Sequence, residues 1–353
     1  MTTPSTSKRA LTVADVAREA QVSKAQAARA LGGYGAVSDK VRSRVAAAAE
    51  RLSYRPNQLA RSMNTGRSQS LGVVVGDIEN PYFGLAVRGI SDLAKEQGYD
   101  VILINTDENL GAEQDAVRVL VDKRVDGLIV APCSADDIDH LAQVVEESRI
   151  LVLFDRMVEG LGVETVAASF EAASRQATEL LLDSGHRRIA YVTSLSGREP
   201  FTHDAVLGFS PIAQRVAGMK QAFLAYEVEF DPALVKLNAG REEDVQRILD
   251  ELLAEKEPPT ALVASDNRIA QALLKECRRR SLRIPVDFSF VMYDDFPWTE
   301  LVDPPLTVVT QPVYAMGQEV ARRTIARIKG EDPGPMPAFE AVLIRRASIS
   351  HPG

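Results

Sequence analysis

Cysteine is scarce in this chain of 353 residues: there are two, Cys133 and Cys277, far apart. That excludes a disulfide framework and a thiolate zinc site, and it points to a reducing compartment, the cytoplasm. Histidine occurs four times without metal-ligand spacing, so no metal is expected. Long apolar runs are missing as well. The longest are strand-sized, such as 71–75, where a spanning helix needs ~20 apolar residues, so no membrane partner is expected. The opening MTTPSTSKRA has no apolar stretch with a cleavage site, which argues against a secretory signal. Reactive constellations are lacking too. No Gly-x-x-x-x-Gly-Lys phosphate loop and no Gly-x-Ser-x-Gly elbow occurs. The glycine cluster at 32–35 follows a helical pattern, not a strand, so it is no dinucleotide fingerprint. Asp294 and Asp295 would point to opposite sides of an extended segment, a poor acid–base pair. The expectation is a protein without cofactor and without enzymatic activity.

What is present is a charge asymmetry. Residues 1–70 carry 12 Lys and Arg against 4 acids, +8, while the remainder carries 29 against 45, −16. Apolar residues at 45% and charged residues at 25% are ordinary for a globular chain, with ample material for cores. A basic front end on an acidic body is the pattern of a protein that meets a polyanion at one end.

The front end reads as three helices over residues 8–55. Thr12 with Asp15 three residues on is a capping-box-like start, and Val13, Val16, Ala17 and Ala20 repeat at helical spacing. Ser23 starts a second helix at once, with Ala27, Ala28 and Leu31 apolar. Two short helices separated only by Gln21 and Val22 form a helix-turn-helix. The second helix presents Lys24, Ala25 and Gln26 at its N-terminal end, where a recognition helix touches base edges in the major groove. Lys suits guanine acceptors and Gln suits adenine, while Arg29, one turn on, reaches a guanine or a phosphate. A third helix runs from Ser38 to about Leu52. After Pro56 comes a stretch to Met63 that is too short to be a stable isolated helix, so it folds only when something holds it.

Residues 70–353 alternate short apolar runs with amphipathic helical patterns. Candidate strands are 71–76, 101–105, 127–131, 150–154, 166–169, 189–193, 234–237, 261–264, 290–293, 307–310 and 341–344. Helical patterns at 83–97, 112–123, 171–184 and 267–280 lie between them. This alternation predicts parallel sheets covered by helices on both faces, split into two doubly wound lobes. The predicted N-lobe is about 70–168 plus 311–330, and the C-lobe about 169–310 plus 331–353. Ligands of such lobes sit beyond the carboxyl ends of the strands, here in the cleft between the lobes. The strand ends carry Phe83, Asp155, Phe170, Asp266, Asp294, Trp298 and Gln311. Carboxylates and amides for hydroxyls, plus aromatic faces, describe a carbohydrate-type cleft. The alternative for Asp155 and Asp266 is a helix cap, and for Trp298 a core or interface position. The segment 196–211, with His203 and Asp204, either covers the ligand or is a surface loop.

LTVADVAREAQVSKAQAARAL, then VSDKVRSRVAAAAERLSYRPNQLARSMNTGRSQSLGVVV, resembles the start of a lactose-repressor-type (LacI/GalR) transcription regulator. The resemblance implies a helix-turn-helix head, a hinge helix within 56–69 and a periplasmic-binding-protein-like body. By resemblance Thr12, Ser23, Lys24, Ala25, Gln26, Arg29, Ser38 and Asn57 face DNA. Met63 stands where the family has an apolar wedge, usually Leu, that enters the minor groove. Arg215 matches the family's effector-binding arginine, and Phe83, Asp155, Phe170, Asp266, Asp294 and Gln311 line the pocket with it. The chain departs from the family at Gln21, where Gly is usual, at Ala28, where Ser is usual, and at Ser169, where Asp is usual. The implied function is an operator-binding repressor of carbohydrate use, a homodimer with a tetramer as the alternative, controlled by a sugar or sugar acid. The alternatives left open are a solute-binding module for transport and a purine-type corepressor-dependent repressor.

Overall fold

A computed structural model describes residues 11–32, 35–54, 66–198, 200–208 and 210–353. Asn57 and Met63 lie outside the described residues, as does most of the expected 56–69 hinge. The chain divides into two compact units, a head and a body.

The head consists of α1 (Val13–Glu19), α2 (Lys24–Gly32) and α3 (Asp39–Arg51). Its small core is made of Val16, Ala17, Ala20, Ala27, Val45, Ala48 and Ala49. Alanines dominate because three helices meeting over so few residues must approach closely. The Asp15 carboxylate accepts from the Thr12 backbone N–H at 2.9 Å and from its hydroxyl at 2.8 Å. Gln21, in the turn, has φ +53°, the left-handed conformation that explains why glycine is the usual residue there.

In the body, β1 (Ser70–Val75), β2 (Asp100–Asn105), β3 (Gly127–Val130), β4 (Leu151–Phe154) and β5 (Thr165–Val166) form a parallel sheet of order β2-β1-β3-β4-β5. A second sheet contains β7 (Ile189–Val192), β8 (Val235–Lys236), β9 (Ala261–Ala264), β10 (Ser289–Tyr293), β11 (Thr307–Thr310) and β13 (Val342–Ile344). Its order is β13-β11-β10-β9-β7-β8, parallel except for β13 on the edge. Read from β8, the second sheet repeats the strand order of the first. The single strand expected at 166–169 is instead two. β5 completes the first sheet, and β6 (Ala168–Ser169) pairs with β12 (Phe339–Glu340) in a separate ribbon.

Strands buried on both faces explain the near-continuous apolar runs. Ile189 and Tyr191 face one core, while Ala190 and Val192 face another, as the two-residue period requires. Helices α7 (Glu171–Asp183) and α8 (Ser210–Ala225) cover the first of these faces. Helices α9 (Glu242–Leu253) and α10 (Asn267–Arg279) cover the second. In the first lobe α4 (Pro81–Glu96) packs against α12 (Val313–Lys329), which returns there after β11. Their backbones touch at two glycines: a Cβ on Gly89 would meet the Tyr314 carbonyl at 2.2 Å, and one on Gly317 the Ala86 carbonyl at 2.2 Å. The remaining helices of that lobe are α5 (Leu110–Asp122), which packs against β1 and β2, and α6 (Asp139–Glu146), which packs against α5; the short α11 (Pro297–Leu301) follows β10. Among the described residues no helix is long and apolar enough to cross a membrane.

Candidate effector cleft and nucleic-acid interface

The first turn of α2 is built by a reciprocal cap. Ser23 Oγ accepts from the Gln26 backbone N–H at 3.1 Å, and Gln26 Oε1 accepts from the Ser23 N–H at 3.1 Å. This satisfies two donors of the helix start and leaves Lys24, Ala25 and Gln26 exposed, with Ala27 buried beneath them. Arg29 and Ser38 are exposed as well, and Thr12 is half-buried. The cap alters the expectation for Gln26. Bidentate adenine reading needs both its amide oxygen and its amide nitrogen, and the oxygen is engaged within the helix.

In the body, the carboxyl ends of the strands converge on a cleft of about 130 Å³. Phe83, Asp155, Arg215, Asp266, Asp294 and Gln311 all line it. Asp155 follows β4 and Asp294 follows β10, which are equivalent strands of the two sheets. Both have left-handed backbones, φ +68° and φ +69°, a conformation aspartate tolerates better than most residues. Each donates its N–H to the next strand, to the Val166 and Val309 carbonyls, at 2.8 Å. The repeated fold thus turns one carboxylate into the cleft from each lobe.

Asp155 Oδ1 accepts from the Tyr82 hydroxyl at 2.7 Å. Asp294 Oδ1 accepts from Gln311 Nε2 at 2.9 Å, and burial pushes its carboxyl up to about 6. Gln311 Oε1 is buried without a hydrogen-bond partner. Arg215 is buried, its guanidinium 4.1 Å from the Phe170 ring centroid and 4.2 Å from that of Tyr293. Its Nη1 donates to the Ser265 carbonyl at 2.7 Å, and its Nε has no partner. Two aromatic planes and one carbonyl fix the fork while leaving donor capacity for a ligand.

Three of the expected residues sit differently from the simple lining picture. Phe170 is fully buried and meets the cleft only through Arg215, because its ring forms one side of the guanidinium's slot. Asp266 is also the N-cap of α10: Oδ1 accepts from the Arg268 and Ile269 N–H groups while Oδ2 accepts from Ser265 Oγ. Trp298 does not line the cleft. Pro297 starts α11 and carries the indole to another hollow, with Gln271, Cys277 and Leu306, and its N–H is satisfied by Asn267 Oδ1 at 2.8 Å. In the segment 196–211, Pro211 lines the cleft and Phe201 is buried, whereas His203 and Asp204 are not among the lining residues.

Glu108 and Arg268 are cleft residues that sequence reasoning missed. Arg156 donates to both Glu108 oxygens, at 2.6 and 2.7 Å, and to the Pro132 carbonyl at 2.9 Å. Arg268, at the start of α10, donates to Asp77 Oδ2 at 2.7 Å, bridging from the second lobe to the end of β1 in the first. Glu108 follows β2, so the strand-end rule pointed to it; Arg268 carried no signal beyond its place after a capping aspartate.

Residues 12–57 match the family model for bacterial regulatory proteins of the lacI family, and residues 178–349 match a periplasmic binding protein-like domain. The ribose operon repressor of Bacillus subtilis (strain 168) is 31% identical over 318 residues, which span 90% of this chain and 92% of that protein. A LacI-family regulator of Enterococcus faecium with bound ribose superposes with a TM-score of 0.66 at 25% identity, over 80% of this chain and 99% of its own. The lac repressor dimer bound to operator and an anti-inducer superposes with a TM-score of 0.78 at 23% identity, over 97% and 100%, a likeness of fold.

Proposed function

Because the chain belongs to the LacI family of bacterial regulatory proteins, we propose that its head and its cleft are the two coupled ends of one transcriptional switch. The protein is a DNA-binding transcriptional regulator under effector control. On our reading it is a cytoplasmic homodimer that represses a carbohydrate-utilisation operon and has no enzymatic role. Two heads on a two-fold axis read a near-palindromic operator, through Lys24, Ala25, Gln26 and Arg29 in the major groove. Thr12, Ser23, Ser38 and Asn57 supply further DNA contacts, and Met63 is the minor-groove wedge. A small molecule held by Asp155, Arg215, Asp266, Asp294 and Gln311, with Phe83 beside it, favours one lobe arrangement. That arrangement sets the spacing of the two hinge segments, so effector and operator affinities are reciprocally coupled.

The observation that carries the effector reading is the stacked, buried Arg215 facing a carboxylate from each lobe. The relatives support a sugar: one is a ribose operon repressor and one was solved with ribose bound. A purine would want an open aromatic face. The aromatic lining residues are Tyr82 and Phe83, both buried, while the Phe170 and Tyr293 rings are occupied by Arg215. A transport module would have no use for the basic head.

The test is Arg215→Ala in full-length protein, with operator binding followed by fluorescence anisotropy. The expected result is operator affinity within about twofold of the parent and loss of the response to sugar. A retained response refutes the pocket assignment.

A further inference from the structure

The charge balance of the cleft narrows the effector further than its sugar-like lining does, on the reading that this cleft is the effector site. Its lining carries five carboxylates, Asp77, Glu108, Asp155, Asp266 and Asp294, against three guanidinium groups, Arg156, Arg215 and Arg268. Two of the three cations already hold carboxylates. Arg156 is engaged by both oxygens of Glu108 and stands 3.6 Å from Asp155 Oδ2, and Arg268 is engaged by Asp77, so the five carboxylates still outnumber the cations. Arg215 is the lining guanidinium with no carboxylate hydrogen-bonded to it. Its charge is met by two ring faces and a carbonyl, and it lies among Asp155, Asp266 and Asp294.

We infer that the cleft accepts an uncharged polyol the size of one sugar ring and rejects the phosphorylated and acid forms of the same sugar. A phosphate offers acceptor oxygens and negative charge. Asp155 and Asp294 offer the same, and both are buried, so bringing a phosphate against them is repulsive and leaves lone pairs unmet. A hydroxyl both donates and accepts. It donates to a carboxylate or to the unpartnered Gln311 Oε1, and it accepts from the Arg215 fork. Size agrees: about 130 Å³ is comparable to cavities of ~150 Å³ that take a single six-membered ring. The pairing of Arg156 and Arg268 is what removes the cationic cluster that an anionic sugar would require.

The experiment is isothermal titration of the full-length protein with D-ribose, D-glucose, D-ribose 5-phosphate and D-ribonate. A neutral sugar is expected to bind, with its phosphate or aldonate at least ~100-fold weaker. Asp155→Asn and Asp294→Asn, each checked for a parental circular dichroism spectrum, should narrow that gap at least ~10-fold, since each removes one repelling charge. Either anionic sugar binding as tightly as the neutral one overturns the inference. If that binding also disappears in Arg215→Ala, the cleft is still the effector site and only the charge selectivity is wrong. If it survives Arg215→Ala, the effector reading fails with it. No binding by either neutral sugar, when an anionic one binds, likewise contradicts the proposal.

Discussion

Asp294 is the residue at which the cost of building this cleft is most visible. Its carboxyl is buried and its backbone left-handed, and burial pushes it up to about 6. An unfolded aspartate releases its proton near ~3.9, so between those values the folded chain holds a proton that the unfolded chain has lost. The contribution of this group to stability is therefore full at low pH and is lost as pH rises through about 6. The melting temperature of Asp294→Asn should rise relative to the parent as pH is raised from about 4 to 6, and the difference should then level off. A difference in melting temperature that does not change with pH would contradict this. Arg215, Phe170 and Tyr293 make a second lesson at this scale. The resemblance pointed to the arginine, which does line the cleft, but the ring sandwich that orients it was not legible, because Tyr293 reads in sequence as an ordinary strand residue.

At the scale of elements, the turn of the helix-turn-helix carries a strained residue. Gln21 at φ +53° pays for a side chain where glycine is at ease. Gln21→Gly should stabilise the head by about 0.5–1 kcal/mol, the left-handed penalty less the added freedom of glycine in the unfolded chain. Thermal unfolding followed by circular dichroism checks it, and a lower melting temperature would count against the strain. The bridge from Arg268 on α10 to Asp77 after β1 ties the lobes across the cleft mouth. Arg268 is 57% exposed at its side chain, so the pair is worth at most ~1 kcal/mol. Arg268→Gln should weaken sugar binding about two- to fivefold, with the loss shrinking at high salt. An unchanged affinity at every salt concentration would remove the bridge from the account.

Strands and long helices were readable because their periods are strong. The apolar runs at 127–131, 261–264 and 307–310 and the helical patterns at 83–97 and 267–280 correspond to real elements within a few residues. The break at residue 167 was not readable, because Val166, Ala168 and their neighbours form one apolar run and only tertiary pairing divides it between β5 and β6. The site was legible where chemistry sits at strand ends. It was not legible where a residue has two employments. Asp266 caps a helix and lines the cleft, Gln26 caps a helix on the surface expected to meet DNA, and Trp298 looks like a ligand platform but satisfies its indole on Asn267.

For the whole molecule, the +8 head and the −16 remainder give the two units opposite electrostatic tasks. On the proposed reading the head should supply a salt-sensitive grip on phosphate, while the acidic body is repelled by the same polyanion and holds the effector. The central claim is that the two affinities are linked. The most direct measurement is the dissociation constant of full-length protein for its genomic operator, with and without a saturating neutral sugar, at fixed salt. The account predicts a change of about 5- to 150-fold in operator affinity, and the same factor in sugar affinity when operator is present. Equal operator affinity with and without a sugar that demonstrably occupies the cleft would contradict it.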